Sequence, residues 1–364
     1  MPVTDGRGLN RFIAFPYDHY RGDPLWVPQL RMDVRTLLSP AKNPFFQHAE
    51  AQYFIAQQNG RVVGRIAAIK NDAHTREHGD QVGFYGFFES VDEQGVAGAL
   101  FDAAGRWLRE KGFRVMRGPM SPSINDECGL LVNGFDTPPT LMMPHNPAYY
   151  VGLHDRYGFT KAKDLLAFES AGVQMPDRIG RAAKVIAERK GITLRPLNLK
   201  RFKDEVELVK ALYNQAWERN WGFVPLTEAE IDHLAKQLKP IVVPDLICFA
   251  EQQGKVIGFA VALPDLNVAL KHNPSGRLYG LPKILWYARK IHRCRILLLG
   301  TIKEYRGGGV DALMYHWIWT KGGALGFHWG EGGWILEDNA AMVNAAHQLG
   351  FRPYKTYRIY DKSL

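Results

Sequence analysis

The chain has 364 residues, 46% hydrophobic and 23% charged, an ordinary globular composition with length enough for two packed cores. It holds no run of about 18 uninterrupted apolar residues and opens on MPVTDGRGLNRFIAF, so neither a membrane-spanning helix nor a secretory signal is expected. The net charge of +9 points to an anionic partner, which could be a phosphorylated cofactor, an anionic membrane or nucleic acid; Cys128, Cys248 and Cys294, odd in number and far apart, read as buried reduced thiols.

In chain order, YFIAQQNGRVVGRIA (53–67) predicts a β-hairpin around a polar turn with glycine, and LFDAAGRWLREKGF (100–113) a helix stopped by Gly-Phe. The stretch 118–150 is rich in turn formers, yet Met142, Met143, Tyr149 and Tyr150 could make an adaptable apolar wall there. DRYGFTKAKDLLAFE (155–169) reads as a helix end followed by a strand, and 171–195 as a charged helical connector. AWERNWGFVPLTEAE turns a helix-to-helix corner bearing Asn214, Trp217, Asn220 and Trp221, with a capping box from Thr227 to Glu230 opening the second helix.

A second hairpin follows at ICFAEQQGKVIGFAV (247–261), its glycines offset from those of the first by 194 residues. Between Asp265 and Glu304 there is no acidic residue, while eight lysines and arginines are interleaved with Leu278, Tyr279, Leu281, Ile284, Leu285, Trp286, Tyr287 and Ile291. Segment 271–295 therefore reads as a basic amphipathic stretch on a membrane surface, as a helix with solvated lysines, or as a clamp for phosphates. RILLLG (295–300) predicts a strand, EYRGGGVDAL (304–313) a glycine loop, and LMYHWIWTKGGALGF (313–327) a helix. ILEDNAAMVNAAHQLGF and RPYKTYRIYD close the chain as strand, helix and strand.

The two hairpins, the two Gly-Phe-stopped helices (offset 214) and the two final helix–strand pairs (offset 192) recur in the same order. Duplication of one α/β unit explains them better than chance, with insertions at different places in each copy. Expected domains are 1–170 and 195–364, joined by 171–194.

A strand, a glycine-rich turn and a helix N-terminus make an anion site, because unpaired N–H groups and the helix dipole meet there. Arg306-Gly307-Gly308-Gly309-Val310-Asp311 in this setting resembles the pyrophosphate loop of GNAT acyl-CoA N-acyltransferases, and Asn339, eleven residues before Gly350, resembles the strand-to-helix junction of that fold. Two positions depart from the family pattern: Asp311 stands for the last loop glycine or alanine, and Ala346 for the usual tyrosine. At larger scale FPYDHYRGDPLWVPQL, GPMSPSINDECGLLVNGF and YKTYRIY are similar to a bacterial family of tandem GNAT proteins that includes the ceramide synthases.

The resemblance implies an α/β (α+β) fold of two GNAT-like domains, each a mixed, mostly antiparallel sheet with flanking helices. It implies acyl-CoA as co-substrate, an amine as acceptor, with a long-chain sphingoid base favoured over a small or peptide amine, and no metal. A non-catalytic acyl-CoA or lipid-binding module is the reading from another class. Gly300, Thr301, Ile302 and Tyr305 join Arg306–Asp311 and Asn339 as the expected cofactor contacts; ESVDEQGVAGAL (89–100) lacks arginine and carries three acids, so the first copy is expected to bind no pyrophosphate.

Amide formation needs a base for the amine and an acid for the thiolate. Glu337 is the leading base, with helix capping as its bland alternative; Glu127 and His145 are further candidates, and Tyr354, with Tyr357 behind it, replaces the absent tyrosine as acid. Asn125, Asn146 and Tyr149 join Asn214, Trp217, Asn220 and Trp221 as expected acceptor contacts. A cytoplasmic protein, or one peripheral on the inner face of the membrane, is expected, with nucleic acid excluded as partner because the positive charge sits in an apolar-rich segment.

Overall fold

A computed structural model describes residues 1–171, 177–217 and 220–364, apart from the side chains of residues 171, 177, 216 and 217. In chain order its principal elements are α1 (Gly6–His19), β1 (Ala49–Gln58), β2 (Arg61–Asn71), β3 (Val82–Ser90), α2 (Gln94–Glu110), β4 (Val115–Gly118), β5 (Leu130–Asn133), α3 (Tyr149–Tyr157) and β6 (Thr160–Ala171). Then come α4 (Asp177–Lys190), β7 (Ile192–Pro196), α5 (Phe202–Trp217), α6 (Glu228–Leu238), β8 (Ile247–Gln252) and β9 (Lys255–Pro264). The last are α7 (Leu281–Ala288), β10 (Arg293–Thr301), α8 (Val310–Ala324), β11 (Trp329–Leu336), α9 (Ala340–Gln348) and β12 (Arg352–Ser363). Of the expected connector, α4 is present and residues 172–176 lie outside the described residues.

These elements form two compact units, one of Met1–Leu166, Asn267–Arg289 and Lys355–Leu364, the other of Ala167–Leu266 and Lys290–Tyr354. This corrects the contiguous boundaries read from the sequence. The C-terminal residues group with the first unit because Tyr360–Ser363 pair antiparallel with β4 and Thr356–Arg358 with β5. Segment 267–289 joins them through main-chain bonds such as Arg31 N–H to the Gly276 carbonyl at 2.8 Å.

In the first unit β1, β2 and β3 run antiparallel and β3 pairs parallel with β4. Helix α2 covers this sheet because Leu100, Phe101, Ala104 and Leu108 recur at helical spacing and bury against Phe54, Ile66, Tyr85 and Phe159. In the second unit β7, β8, β9 and β10 run antiparallel and β10 pairs parallel with β11. Val310, Leu313, Met314 and Ile318 give α8 its buried side.

The duplication is visible in backbone detail. Asn59–Gly60 and Gln253–Gly254 turn their hairpins with φ of 48° and 78° against 51° and 79°, both residues left-handed as a tight hairpin turn requires. A bulge follows Ala56 in one hairpin and Ala250 in the other. The helix-stopping glycines match as well, Gly112 with Gly326 at 88° and 87°, and Gly158 with Gly350 at 86° and 84°.

Candidate active site

Strands β10 and β11 are paired only from Arg293 with Trp329 to Ile296 with Gly332. Past that point β10 continues to Thr301 on its other edge, bonded to β9, with a register shift between Val261 and Ala262 that leaves Leu297 as the extra residue. Such a bulge twists a strand and re-aims its polar groups, so the backbone of β10 between Leu297 and Thr301 turns away from the ladder it shared with β11.

The glycine loop follows this bulged end. The Ile302 N–H is tied to the Ile257 carbonyl at 3.0 Å, a short turn spans Lys303–Tyr305, and Gly307 and Gly309 take φ of 71° and 81°. Helix α8 then starts at Val310 with no side chain capping it, so its first-turn N–H groups, unpaired by helical geometry, are left for an external acceptor. Gly309 is favoured on two counts: its φ is left-handed, and a Cβ there would come within 2.6 Å of the Ile186 side chain on α4. At Gly307 only the φ demands glycine, since nothing lies within 4 Å of an added Cβ.

Two cations border the loop. Lys190 Nζ donates to the Gly308 carbonyl at 3.0 Å. Arg306 is exposed and donates from Nη2 to the Gln215 carbonyl at 2.9 Å. Tyr305 anchors the turn by donating its hydroxyl to Gln252 at 2.6 Å. An exposed arginine, a lysine and a row of unpaired N–H groups supply the positive charge and donors that a phosphate ester needs. The corresponding stretch of the first unit differs in charge and backbone: α2 also starts without a side-chain cap, but its N-cap residue is the acid Glu93, which accepts from Gln58 at 2.9 Å, and Gly95 and Gly98 are helical rather than left-handed.

Next to the parting strands lies a buried ion pair that sequence reasoning missed, and the expected acid Tyr354 joins it. Arg295 and Glu331 face each other across the parallel pair at 3.2 Å, exposed by 4% and 0% of their side chains, and the Tyr354 hydroxyl donates to Glu331. Arg295 also donates to the Gly333 carbonyl at 2.9 Å.

Over 379 aligned residues the sequence is 37% identical to the bacterial ceramide synthase of Caulobacter vibrioides, spanning 100% of this chain and 97% of that protein. The chain belongs to the bacterial ceramide synthase-like family of tandem GNAT proteins. Protein YghO of Escherichia coli is 36% identical over 368 residues, covering 98% of this chain and 93% of its own. Among solved structures, a tandem GNAT protein from the clavulanic acid biosynthesis pathway superposes with a TM-score of 0.57 at 12% identity, over 100% of this chain and 97% of that one, a likeness of fold. No protein-family model matches the sequence. The family and the GNAT fold make the protein an N-acyltransferase.

In this ceramide synthase-like chain the other expected site residues fall in different surroundings. Glu337 is half-buried in the turn after β11, beyond the last β10–β11 pair. Asn339, two residues on, caps α9 by accepting from the Met342 N–H at 3.2 Å, so the capping role considered for Glu337 belongs to Asn339. Asn214 bonds the main chain of Leu226 with both ends of its amide, each at 3.2 Å, and Asn146 does the same to Leu131 at 2.7 and 3.1 Å. Both amides are thus engaged in holding loops. The Asn220 carbonyl accepts from the Phe223 N–H at 3.1 Å and Trp221 is half-buried; the Trp217 side chain lies outside the described residues.

The first-unit candidates surround a separate buried network. Glu89 accepts from Tyr20 at 2.5 Å and from Tyr150 at 2.8 Å, with Arg65 at 3.7 Å, and burial still pushes its carboxyl above the usual range. Tyr149 donates to the Ser90 carbonyl at 2.7 Å. His145 Nε2 meets Asp23 at 2.9 Å; burial lowers its pKa, and its Nδ1 is buried with no hydrogen-bond partner. Glu127 accepts from Gln29 at 2.6 Å, and Asn125 bonds Ser123 through its main-chain N–H at 3.2 Å.

Proposed function

We propose that the protein transfers an acyl group from acyl-CoA to the primary amine of a long-chain sphingoid base. One observation carries the reading: the left-handed Gly307 and Gly309, ending a bulged strand and opening an uncapped helix, occur in the second copy alone, within a chain alike end to end to a bacterial ceramide synthase. The pyrophosphate would sit on the first-turn N–H groups of α8, with Arg306 and Lys190 supplying charge. The thioester would lie where β10 parts from β11, and a β10 N–H would polarise its carbonyl.

The reaction consumes an ammonium and a thioester and yields an amide, a free thiol and one proton. Glu337 is the base that makes the amine neutral. Nitrogen attacks the carbonyl carbon, the carbon–sulfur bond breaks, and Tyr354 protonates the departing thiolate; the proton shed by the attacking nitrogen restores the phenol. If Glu337→Gln leaves turnover unchanged, Glu337 is not the base.

Mass spectrometry of purified protein with acyl-CoAs of increasing length, offered a sphingoid base or a pool of small amines, tests this. The N-acyl sphingoid product, with equimolar thiol release, is expected. Thiol release with small amines alone would sink the acceptor assignment. Glu337→Gln is expected to lower kcat by about 100-fold or more while leaving CoA affinity unchanged.

A further inference from the structure

Segment Asn267–Arg289 is firmly seated on its own unit. Asn267 donates to the Pro139 carbonyl at 3.0 Å, and Arg31 donates from Nε to the Ser275 carbonyl at 2.8 Å. Gly276 lies so close to Tyr17 and the Gln29 carbonyl that an added Cβ would stand 2.4 and 2.5 Å from them. Ala269, Leu270 and Ile284 are buried, and His272 stacks on Tyr287. The inner side is thus a packed surface with defined contacts.

Its outer side is apolar. Leu278, Tyr279, Leu281, Leu285 and Trp286 are exposed by 49, 73, 37, 67 and 59%. Soluble surfaces carry single exposed apolar residues, but five large ones within nine positions of a rigid turn and helix form a patch that marks an interaction site. Helical spacing puts Leu278, Leu281 and Leu285 in one row, and Tyr279, Lys283 and Trp286 in the next. The rim is cationic: Lys271, Arg277, Lys283 and Arg289 are all exposed, make no ion pair among the described residues, and the segment holds no acid.

We propose that this patch docks on an anionic phospholipid bilayer, with α7 lying in the interface. Apolar side chains would enter the acyl boundary, Tyr279 and Trp286 would sit at the headgroup level, and the lysines and arginines would reach lipid phosphates along their flexible stems. An eight-residue helix is about 12 Å long and cannot span a bilayer, so the docking is peripheral. A protein partner would need acids to meet the rim; an anionic membrane supplies both the apolar phase and the charge. The inference rests on this surface alone and stands whichever amine the enzyme acylates.

Vesicle flotation tests it, comparing phosphatidylglycerol-containing with pure phosphatidylcholine vesicles at low and high salt. Binding to the anionic vesicles, weakened by salt, is expected. The pair Leu285→Ser with Trp286→Ser is expected to abolish it, and Lys283→Gln with Arg289→Gln to weaken it about tenfold, with urea midpoints unchanged because these positions are exposed. All three cysteines are buried, so Leu285→Cys can be labelled selectively with an environment-sensitive dye. Its emission should shift to the blue on anionic vesicles. Absence of vesicle binding by the parent protein overturns the proposal, as does binding that survives the serine pair. A dimer that dissociates in the serine pair without any vesicle binding assigns the patch to a second copy instead.

Discussion

His154 is enclosed by aromatic rings, with Tyr85, Phe88, Phe101, Phe159 and Tyr360 at centroid distances of 5.9, 5.1, 5.0, 5.2 and 5.3 Å. Its Nδ1–H donates to the Tyr150 carbonyl at 2.7 Å, while Nε2 is buried with no partner. Burial therefore lowers its pKa to about 4 from an ordinary 6.5. The unfolded chain takes up the proton first, so stability present above pH 6.5 is lost as the pH falls toward 4, by on the order of 3 kcal/mol at most from this residue. His154→Gln is expected to lose less stability than the parent between pH 7.5 and pH 5 in urea titrations; an equal acid loss would show that the burden lies on other groups, such as His19, also lowered to about 4. At this scale the sequence was a partial guide. Glu331 escaped notice because its partners come from register: Arg295 lies opposite through a parallel pairing and Tyr354 is brought in from β12. Arg295 falls within the basic stretch read from the sequence, and the same register leaves its side chain only 4% exposed. Asn146 and Asn214 show the same limit, since their bonds to the main chain of Leu131 and Leu226 join residues 12 to 15 positions apart and leave no local mark in the sequence.

The glycine loop is the element to which the proposal assigns cofactor binding, and its two left-handed residues make separable demands. Gly307→Ala adds a methyl group to open space and costs about 1–2 kcal/mol of backbone strain. Gly309→Ala adds the same strain and a 2.6 Å approach to Ile186, relieved only by turning that side chain or by shifting the loop or α4. Dissociation constants for CoA are expected to rise for both, and by several-fold more for Gly309→Ala; equal effects would mean that Ile186 yields freely and that φ alone governs the loop. Elements of this kind were largely legible. Hairpins, helix stops and the Thr227–Glu230 capping box carry local signatures of turn and cap chemistry, and the box forms as read, with Glu230 accepting from the Thr227 N–H at 2.8 Å. The bulge at Leu297 was not legible, because an apolar run such as RILLLG gives no sign of where a partner strand slips by one residue.

For the molecule as a whole, duplication followed by divergence accounts for two α/β units with matching hairpins and helix stops, of which the second carries the loop of left-handed glycines. The repeat was readable from three ordered matches in the sequence. The grouping of 267–289 and 355–364 with the first unit was not, because strand pairing over hundreds of residues depends on contacts that local patterns do not encode. The central claim is that acyl-CoA is held by the second copy. Calorimetric titration with CoA, on the parent protein, on Arg306→Ala and on Asp92→Asn with Glu93→Gln in the first copy, tests it directly. One site per chain is predicted, weakened about tenfold or more by Arg306→Ala through the loss of a charge-assisted contact and unchanged by the first-copy pair. A second site, or CoA affinity that falls in the first-copy pair and holds in Arg306→Ala, would contradict the account.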